Sequence, residues 1–293
     1  ILYSLHFLAL NVLIACQHKT EPNGPEIEIW HGLHQKVGHL GNAQPDFNVM
    51  GKVLPADSIT SLTYQVNNGP DIPLEFGKGT PGFRRLAGLG HFNADIPIAE
   101  LMGGKNIVNI MATTRAGQQT SQKVILDLQS GSYPLPVHID WDKITDPQEV
   151  GQYVDGHWVL EPDGLRTSHM GYDRIFLIGE KSWQDYEIQV SLTINEISKT
   201  TSPLSGGNGL GILFRFTGHV NGGPRNFPTA QPKWGYQPFG AITWLRWDPE
   251  RSQNLPSKQF YRGDNNNTVN HGHFPIQPGV RLWMKAKCQT LPD

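Results

Sequence analysis

One stretch of the chain combines aromatic side chains with polar side chains that can form hydrogen bonds. Residues 221–248 hold Phe227, Trp234, Tyr236, Phe239, Trp244 and Trp247, together with Arg225, Arg246 and Asp248. Aromatic faces stack on the apolar CH patches of sugar rings, while arginine and aspartate can bind hydroxyl groups. The stretch therefore predicts a carbohydrate-binding groove. Its candidate residues are Arg225, Trp234, Tyr236, Trp244 and Arg246.

Strand periodicity limits how many of these side chains can act together. Residues 240–248 (GAITWLRWD) predict a strand, in which alternate side chains point to opposite faces. Trp244 and Arg246 then share one face, and Trp247 lies on the other. At most one of the two tryptophans can line the groove while the other packs in the core. Packing in the core or in loops is the alternative role for most of these aromatic residues.

Catalytic carboxylates are harder to find. Retaining glycosidases need two carboxyl groups about 5 Å apart, and inverting ones need about 6.5–9.5 Å. Asp185 and Glu187 would share a face of one strand, but they fit the solvent side of an amphipathic strand. Glu161 and Asp163 flank a proline in a predicted turn. A glycoside hydrolase therefore stays an alternative to a binding protein, and no catalytic residue is assigned.

Metal ligands do not form a convincing set either. The histidines that stand out are His31, His34 and His39 near the start of the folded part, and His271 and His273 in an asparagine-rich segment. Without a third ligand at a recognisable spacing, we expect exposed loop histidines. Asp264 and Asn265–Asn267 could offer oxygen ligands to a structural calcium ion, but their spacing matches no calcium loop. We therefore expect no cofactor.

The first sixteen residues have the order of an export signal. Residues 1–15 are almost wholly apolar, and Cys16 is followed at once by a polar segment, residues 17–26. The apolar run is too short to span a bilayer comfortably and suits a signal peptide. Residues 13–16 (LIAC) resemble the lipobox of bacterial lipoproteins, in which the cysteine sulfur receives a diacylglycerol. The resemblance implies lipidation of Cys16 and a flexible tether over residues 17–26.

Composition favours β-structure over helices and excludes some functions. The chain has 32 glycines and 22 prolines, which implies many turns between short strands. Its net charge is −2 and no basic run is present, so nucleic acid is not an expected partner. Of the two cysteines, Cys288 is expected to be a small buried residue of a strand.

Six or seven short strands are predicted over residues 27–128, with the Asn67-Asn68-Gly69 sequence as a hairpin turn. The segments VMGKVLPADSITSLTYQVNNGP and NIVNIMATTRAG resemble bacterial immunoglobulin-like (Ig-like) domains of secreted proteins. The resemblance implies a β-sandwich that serves as a spacer or an adhesion surface. Residues 129–136 (QSGSYPLP) predict a linker to a second domain that packs independently.

Longer strands rich in aromatic residues are predicted over residues 137–293. The succession WQDYEIQVSLTI, GLGILFRF and VRLWMKAK resembles the concanavalin A-like lectin/glucanase fold, including laminin G-like domains. The resemblance implies a jelly-roll β-sandwich. In that family further strands follow the last segment, and the sequence starts with Ile1 without a basic region, so we expect both the start of the protein and the end of this domain to be missing.

Taken together, the sequence predicts an all-β chain with an Ig-like β-sandwich and an incomplete jelly-roll. The function we expect is non-catalytic glycan binding by the second sandwich of a lipid-anchored, extracytoplasmic protein of the cell envelope. The resemblance to lipoproteins, with Gln17 after the cysteine, implies the outer membrane if the source has two membranes. Besides the glycoside hydrolase, a structural or adhesive protein is an alternative. A carboxylate pair in one cleft would favour the enzyme, and a row of exposed aromatic residues would favour the binding protein.

Overall fold

The architecture is taken from a computed structural model. It describes residues 24–79, 84–171, 173–197, 208–221, 231–233, 240–247, 257–262, 268–273 and 276–290. Over these residues the chain is nearly all β, with strands arranged in several sheets and only short 3-10 turns between them. No helix in this part of the chain is long and apolar enough to cross a membrane.

The N-terminal half is a β-sandwich of two sheets. Its strands are β1 (Glu26–Ile29), β2 (His34–Val37), β3 (Asp46–Leu54), β4 (Ile59–Val66), β5 (Ile72–Pro73), β6 (His91–Pro97), β7 (Gly104–Thr114) and β8 (Gln119–Leu128). One sheet has the order β1-β3-β6 and the other β2-β8-β7-β4-β5. All pairs are antiparallel except β2 with β8, which run parallel from His34 opposite Ile125 to Val37 opposite Leu128.

Alternating apolar residues from both sheets fill the space between them. On β3 and β6 the inward side chains include Phe47, Val49, Phe92 and Ile96, all buried. The predicted hairpin turn follows β4: Asn67 and Asn68 both have positive φ, and the Gly69 amide donates to the carbonyl oxygen of Val66. Asparagine tolerates this left-handed conformation better than most residues, which explains why the strand ends there.

The opposite face of the β1-β3-β6 sheet is covered too. Its side chains, which strand alternation directs away from the sandwich core, are buried: Asp46, Asn48, Met50, His91, Asn93 and Asp95. The second half of the chain packs over them. Our expectation of two independently packed domains is therefore at odds with the structure, because polar residues that would suit solvent lie in a buried interface.

The segment nearest this interface consists of small two-stranded sheets. β9 (Gln152–Tyr153) pairs with β12 (Phe176–Leu177), and β10 (Trp158–Glu161) forms a hairpin with β11 (Gly164–Thr167). An apolar cluster packs between this segment and the first sandwich. It contains Trp30, Met50 and Tyr153, with Trp158 and Phe176 packed against them.

Two further sheets form the C-terminal part. β13 (Tyr186–Thr193) pairs with β18 (Arg281–Cys288), and the other sheet has the order β14 (Asn208–Phe214), β15 (Ala241–Trp247), β16 (Ser257–Arg262) and β17 (Thr268–His273). The sheets meet where the rings of Tyr186 and Phe214 lie 6.0 Å apart. Ile212, Phe214 and Leu245 are buried on the same side of β14 and β15.

Three details differ from the sequence prediction. The first strand of the second domain was predicted at Ile139–Trp141, but Trp141 begins a 3-10 turn that ends at Lys143. His271 and His273 lie in β17 and not in a loop, since backbone pairing with β16 outweighs the low strand propensity of their neighbours. Cys288 is half-buried rather than buried.

The predicted linker, residues 129–136, is tied to both halves. The amides of Gln129 and Gly131 donate to the carbonyl oxygens of Val37 and Gly38. The Tyr133 amide donates to Oε1 of Glu180, at 3.0 Å, and its hydroxyl donates to the carbonyl of Val150, at 3.3 Å. The segment therefore has more backbone hydrogen bonding than its composition predicts.

Candidate functional site

Trp244 and Arg246 lie together on the outer face of the β14–β17 sheet, as strand alternation predicts. Leu245 between them is buried on the opposite face, whereas Trp244 and Arg246 are half-buried. The guanidinium carbon of Arg246 is 5.4 Å from the centre of the Trp244 ring, a distance that permits a cation–π contact.

Glycine shapes the sheet beneath the Trp244 ring. Gly209 on the neighbouring strand has no side chain, and a Cβ atom there would lie 2.4 Å from Cε3 of Trp244. The ring therefore lies directly against the backbone of β14. Nε1 of Trp244 is covered and has no hydrogen-bond partner in the described part of the chain. A ligand would accordingly contact the face of the Trp244 ring and form hydrogen bonds with Arg246.

The other predicted site residues lie outside the described residues. These are Cys16, Arg225, Trp234 and Tyr236, and the possible calcium ligands Asp264 and Asn265–Asn267. Of the five residues selected for a carbohydrate groove, the structure thus brings together Trp244 and Arg246.

The carboxylates with the spacing of a possible catalytic pair, Asp185 and Glu187, have separate polar partners. Asp185 precedes β13 with a φ of 49° and accepts a hydrogen bond from the Thr290 amide at 2.6 Å. Strand alternation therefore does not place it beside Glu187, which forms an ion pair with Lys285 at 2.9 Å. Glu161 ends β10 and Asp163 lies in the hairpin turn, as predicted.

The sequence analysis missed Trp283. This side chain is 68% exposed, more than any other large apolar residue of the described chain. It belongs to β18, where residues alternate between exposed and half-buried. The signal was available in the sequence, because strand alternation over residues 281–287 (RLWMKAK) places this tryptophan on the face that carries arginine and lysine.

A buried polar network joins the two halves of the chain. Arg85 donates to both carboxylate oxygens of Asp95, at 2.8 and 2.9 Å, and to Asp155 at 2.6 Å. Asp155 also accepts from Asn93 at 2.8 Å and contacts Nε2 of His219 at 2.7 Å. Burial alone would raise the pKa of Asp95, but the Arg85 guanidinium outweighs it and holds that pKa below its usual value. Such mutually satisfied charges hold the two halves together.

Asp173 lies close to this network and behaves differently. Its Oδ2 atom is buried without a hydrogen-bond partner among the described residues. Burial raises the pKa of Asp173 to about 7, and the charge of Asp155 adds to this shift. His219, Arg85 and Arg174 oppose the shift. The carboxyl group can therefore change its charge near neutral pH.

Histidines cluster around Trp30 at the same interface. The Trp30 ring stacks on His157 at 4.9 Å and meets His91 edge-on at 4.7 Å. His31 stacks on Tyr153 at 3.5 Å. Burial lowers the pKa of His31 and that of His91 to about 3, so both imidazoles are neutral in the folded chain.

These positions correct the expectation of exposed loop histidines. His31 and His39 are half-buried, and Nε2 of His39 lies 2.6 Å from the carbonyl oxygen of Gln148. His34 is exposed, but it lies in β2. Among the described residues, no group of three or more histidine, cysteine or acidic side chains could hold a metal ion.

A glycine-lined crevice lies beside the predicted linker. It has a volume of about 330 Å³ between the first sandwich and the linker, and it is bordered by Gly38, Gly41, Gly131 and Glu180. No aromatic residue lines it. It therefore lacks the stacking surface that a sugar site requires.

Comparison with known proteins adds little to this geometry. No family model and no curated protein matches the chain. One solved structure with some similarity is the Bacteroides ovatus mixed-linkage glucan utilization locus SGBP-B in complex with a mixed-linkage heptasaccharide. It is 13% identical, and the match covers 88% of this chain and 71% of that one with a TM-score of 0.22. A likeness this slight carries no argument about function.

Proposed function

We propose that the chain is a glycan-binding protein held outside the cytoplasm by a lipid on Cys16, and that its C-terminal sandwich binds the glycan without cleaving it. The observation that carries the proposal is the Trp244–Arg246 pair on the outer face of the β14–β17 sheet. An aromatic ring beside a guanidinium can stack on one sugar ring and bind hydroxyls of the same ligand.

The remaining parts of the proposal rest on sequence and topology. The strand order β1-β3-β6 against β2-β8-β7-β4-β5 supports an Ig-like spacer, and the sheets β13–β18 and β14–β17 support a concanavalin A-like sandwich. The non-catalytic alternative is favoured because Asp185 accepts a hydrogen bond from the Thr290 amide and Glu187 pairs with Lys285.

Anchoring depends on Cys16 and can be tested separately. Two acyl chains on one cysteine would bind a membrane stably. When the chain is expressed in bacteria behind a complete signal sequence, Cys16→Ala should move it from the detergent phase to the aqueous phase. Equal partitioning of both forms would refute the lipid anchor.

Trp244→Ala tests glycan binding itself. We expect the dissociation constant for a bound polysaccharide to rise about five-fold, since an aromatic contact is worth about 1 kcal/mol. A glycan array first identifies a ligand of the unmodified chain, and calorimetry then compares variants. Phe260→Ala is the matched control, because Phe260 is 38% exposed and lies opposite Thr243, on the other face of the sheet.

The outcome separates the candidate functions. Weaker binding by Trp244→Ala, with Phe260→Ala unchanged, supports the proposed site. A chain that binds no glycan on the array would instead favour the structural or adhesive alternative. Release of reducing ends from a bound polysaccharide would favour the glycoside hydrolase.

A further inference from the structure

The outer face of the β13–β18 sheet has the composition of a second ligand surface. Strand alternation places one set of side chains on this face: Glu187, Gln189, Ser191 and Thr193 from β13, and Arg281, Trp283, Lys285 and Lys287 from β18. The opposite face carries half-buried apolar residues such as Ile188, Val190 and Met284. Trp283 is therefore the large apolar residue on an otherwise polar face, and its exposure leaves the indole ring accessible to a ligand.

The polar neighbours of Trp283 lie directly across the strand pair. Ser191 is opposite Trp283, Gln189 is opposite Lys285, and Thr193 is opposite Arg281. Side chains in such cross-strand pairs lie about 5 Å apart, so hydroxyl and amide groups border the exposed ring. The eight paired residues extend over about 26 Å, which is long enough for several sugar rings.

Charge on this face opposes that of the whole chain. This face carries three cationic side chains, Arg281, Lys285 and Lys287, and one anionic side chain, Glu187. The chain as a whole has a net charge of −2. Lys285 pairs with Glu187 at 2.9 Å, and Arg281 pairs with Asp163 of the β10–β11 turn at 2.5 Å. These side chains are between 48% and 67% exposed, so water screens both ion pairs and leaves the cations available to an anion.

We infer that this face, centred on Trp283, binds an acidic polysaccharide whose carboxylate or sulfate groups meet Arg281, Lys285 and Lys287. The tryptophan stacks on a sugar ring, and the serine and glutamine bind hydroxyls. A membrane surface would also attract lysine and tryptophan. Binding to a membrane surface, however, also depends on the apolar area that is buried, and Trp283 is the large apolar side chain that this face offers.

The inference goes beyond the proposed Trp244 site, because it concerns a different sheet. It is tested on the full chain with two pairs of polymers that differ only in charge: polygalacturonate against its methyl ester, and dextran sulfate against dextran. Affinity electrophoresis or calorimetry measures the dissociation constants. We expect tighter binding to the charged member of at least one pair, and weaker binding as salt is added.

Three variants then examine the surface. Trp283→Ala should weaken binding to the charged polymer about five-fold, as expected for loss of one aromatic contact. Lys285→Gln combined with Lys287→Gln should also weaken it and reduce its salt dependence. Lys105→Gln combined with Lys123→Gln removes the same charge from exposed positions of the first sandwich, and should leave binding unchanged.

Several results would overturn the inference. Equal loss of binding in both double variants would show general attraction between charges, with no site on this face. Unchanged binding of Trp283→Ala would show that the tryptophan ring does not contact the polymer. Binding to anionic phospholipid vesicles that depends on Trp283, with no binding to either acidic polymer, would assign the face to a membrane. Trp244→Ala measured in parallel distinguishes failure here from failure of the proposed function.

Discussion

Three histidines, His91, His157 and His169, surround Trp30 where the two halves of the chain meet, and a fourth, His31, stacks on Tyr153 beside them. Burial decides the protonation state of all four. His31 and His91 have pKa values lowered to about 3, and burial also lowers the pKa of His157 and that of His169. Glu28, Lys52 and Arg174 are the charged groups that act on this cluster. Because the folded chain disfavours the imidazolium form, acid must weaken this interface.

The pH dependence of stability follows from these values. Below about pH 6.5 the unfolded chain takes up protons on His31 and His91, whereas the folded chain does so only near pH 3. The free energy of unfolding should therefore fall as the pH drops from about 6.5 towards 3, by at most about 1.4 kcal/mol per histidine and pH unit. Urea unfolding at several pH values measures it.

His91→Gln should make this fall in stability shallower, and His34→Gln controls for the loss of an imidazole at an exposed position. A steeper loss of stability in acid for His91→Gln would contradict this account.

Asp173 acts in the opposite sense. Its pKa is raised from 3.8 to about 7, so its stabilising contribution is lost as the pH rises through that interval. Asp173→Asn should thus gain stability relative to the unmodified chain at neutral pH, which the same urea unfolding measures.

Among the elements, the β14–β15 pair does most to position the proposed site. Gly209 lies opposite Arg246 and Gly211 lies opposite Trp244. Glycine is unfavourable inside a strand, and it is found where another group must approach the backbone closely. Here the group that approaches Gly209 is the ring of Trp244.

Gly209→Ala should displace that ring without removing any side chain of the site. Its Cβ would lie 2.4 Å from the Trp244 ring, whereas a Cβ at Gly211 would lie 2.2 Å from the backbone oxygen of Thr243. We expect Gly209→Ala to weaken glycan binding with little change in thermal stability, and Gly211→Ala to lower stability. Calorimetric binding and thermal unfolding of both variants measure this. Unchanged binding by a folded Gly209→Ala chain would argue against a role for the ring position.

The sequence predicted elements well where local patterns determine them. Alternation located most long strands and placed Trp244 and Arg246 on one face, and the Asn67-Asn68-Gly69 turn follows from backbone preference. Alternation alone does not predict a strand as short as β2, whose four residues gain their strand conformation from pairing with β8. The Arg85–Asp155 contact has no local signal at all, since 70 residues separate the partners.

At the scale of the whole molecule, buried charges make the two halves dependent on each other. Arg85 belongs to the first sandwich region and Asp155 to the second half, and both side chains are fully buried. Taking one charge away leaves the other without full compensation, which is more costly than the original pair. The covered face of the β1-β3-β6 sheet would expose further buried polar groups if the halves separated.

Asp155→Asn should therefore destabilise the chain by about 3–5 kcal/mol. The unmodified chain should unfold in one transition, and the variant should show two as the halves uncouple. Calorimetry and urea unfolding followed by two probes measure both effects. Glu161→Gln is the control: it removes an exposed ion pair with Arg166 and should change stability by less than about 1 kcal/mol. Two separate transitions in the unmodified chain would contradict the coupling.

The parallel pairing of β2 with β8 has a mechanical consequence. In a parallel pair, the start of one strand and the end of the other lie at opposite ends. A pull between the segment before β2 and the linker after β8 would therefore slide the strands along each other. Under such shear the hydrogen bonds share the load and must break together, whereas a hairpin pulled at its open end releases them one at a time. Tension between the segment that joins β1 to β2 and the linker would therefore be resisted at this pair of strands.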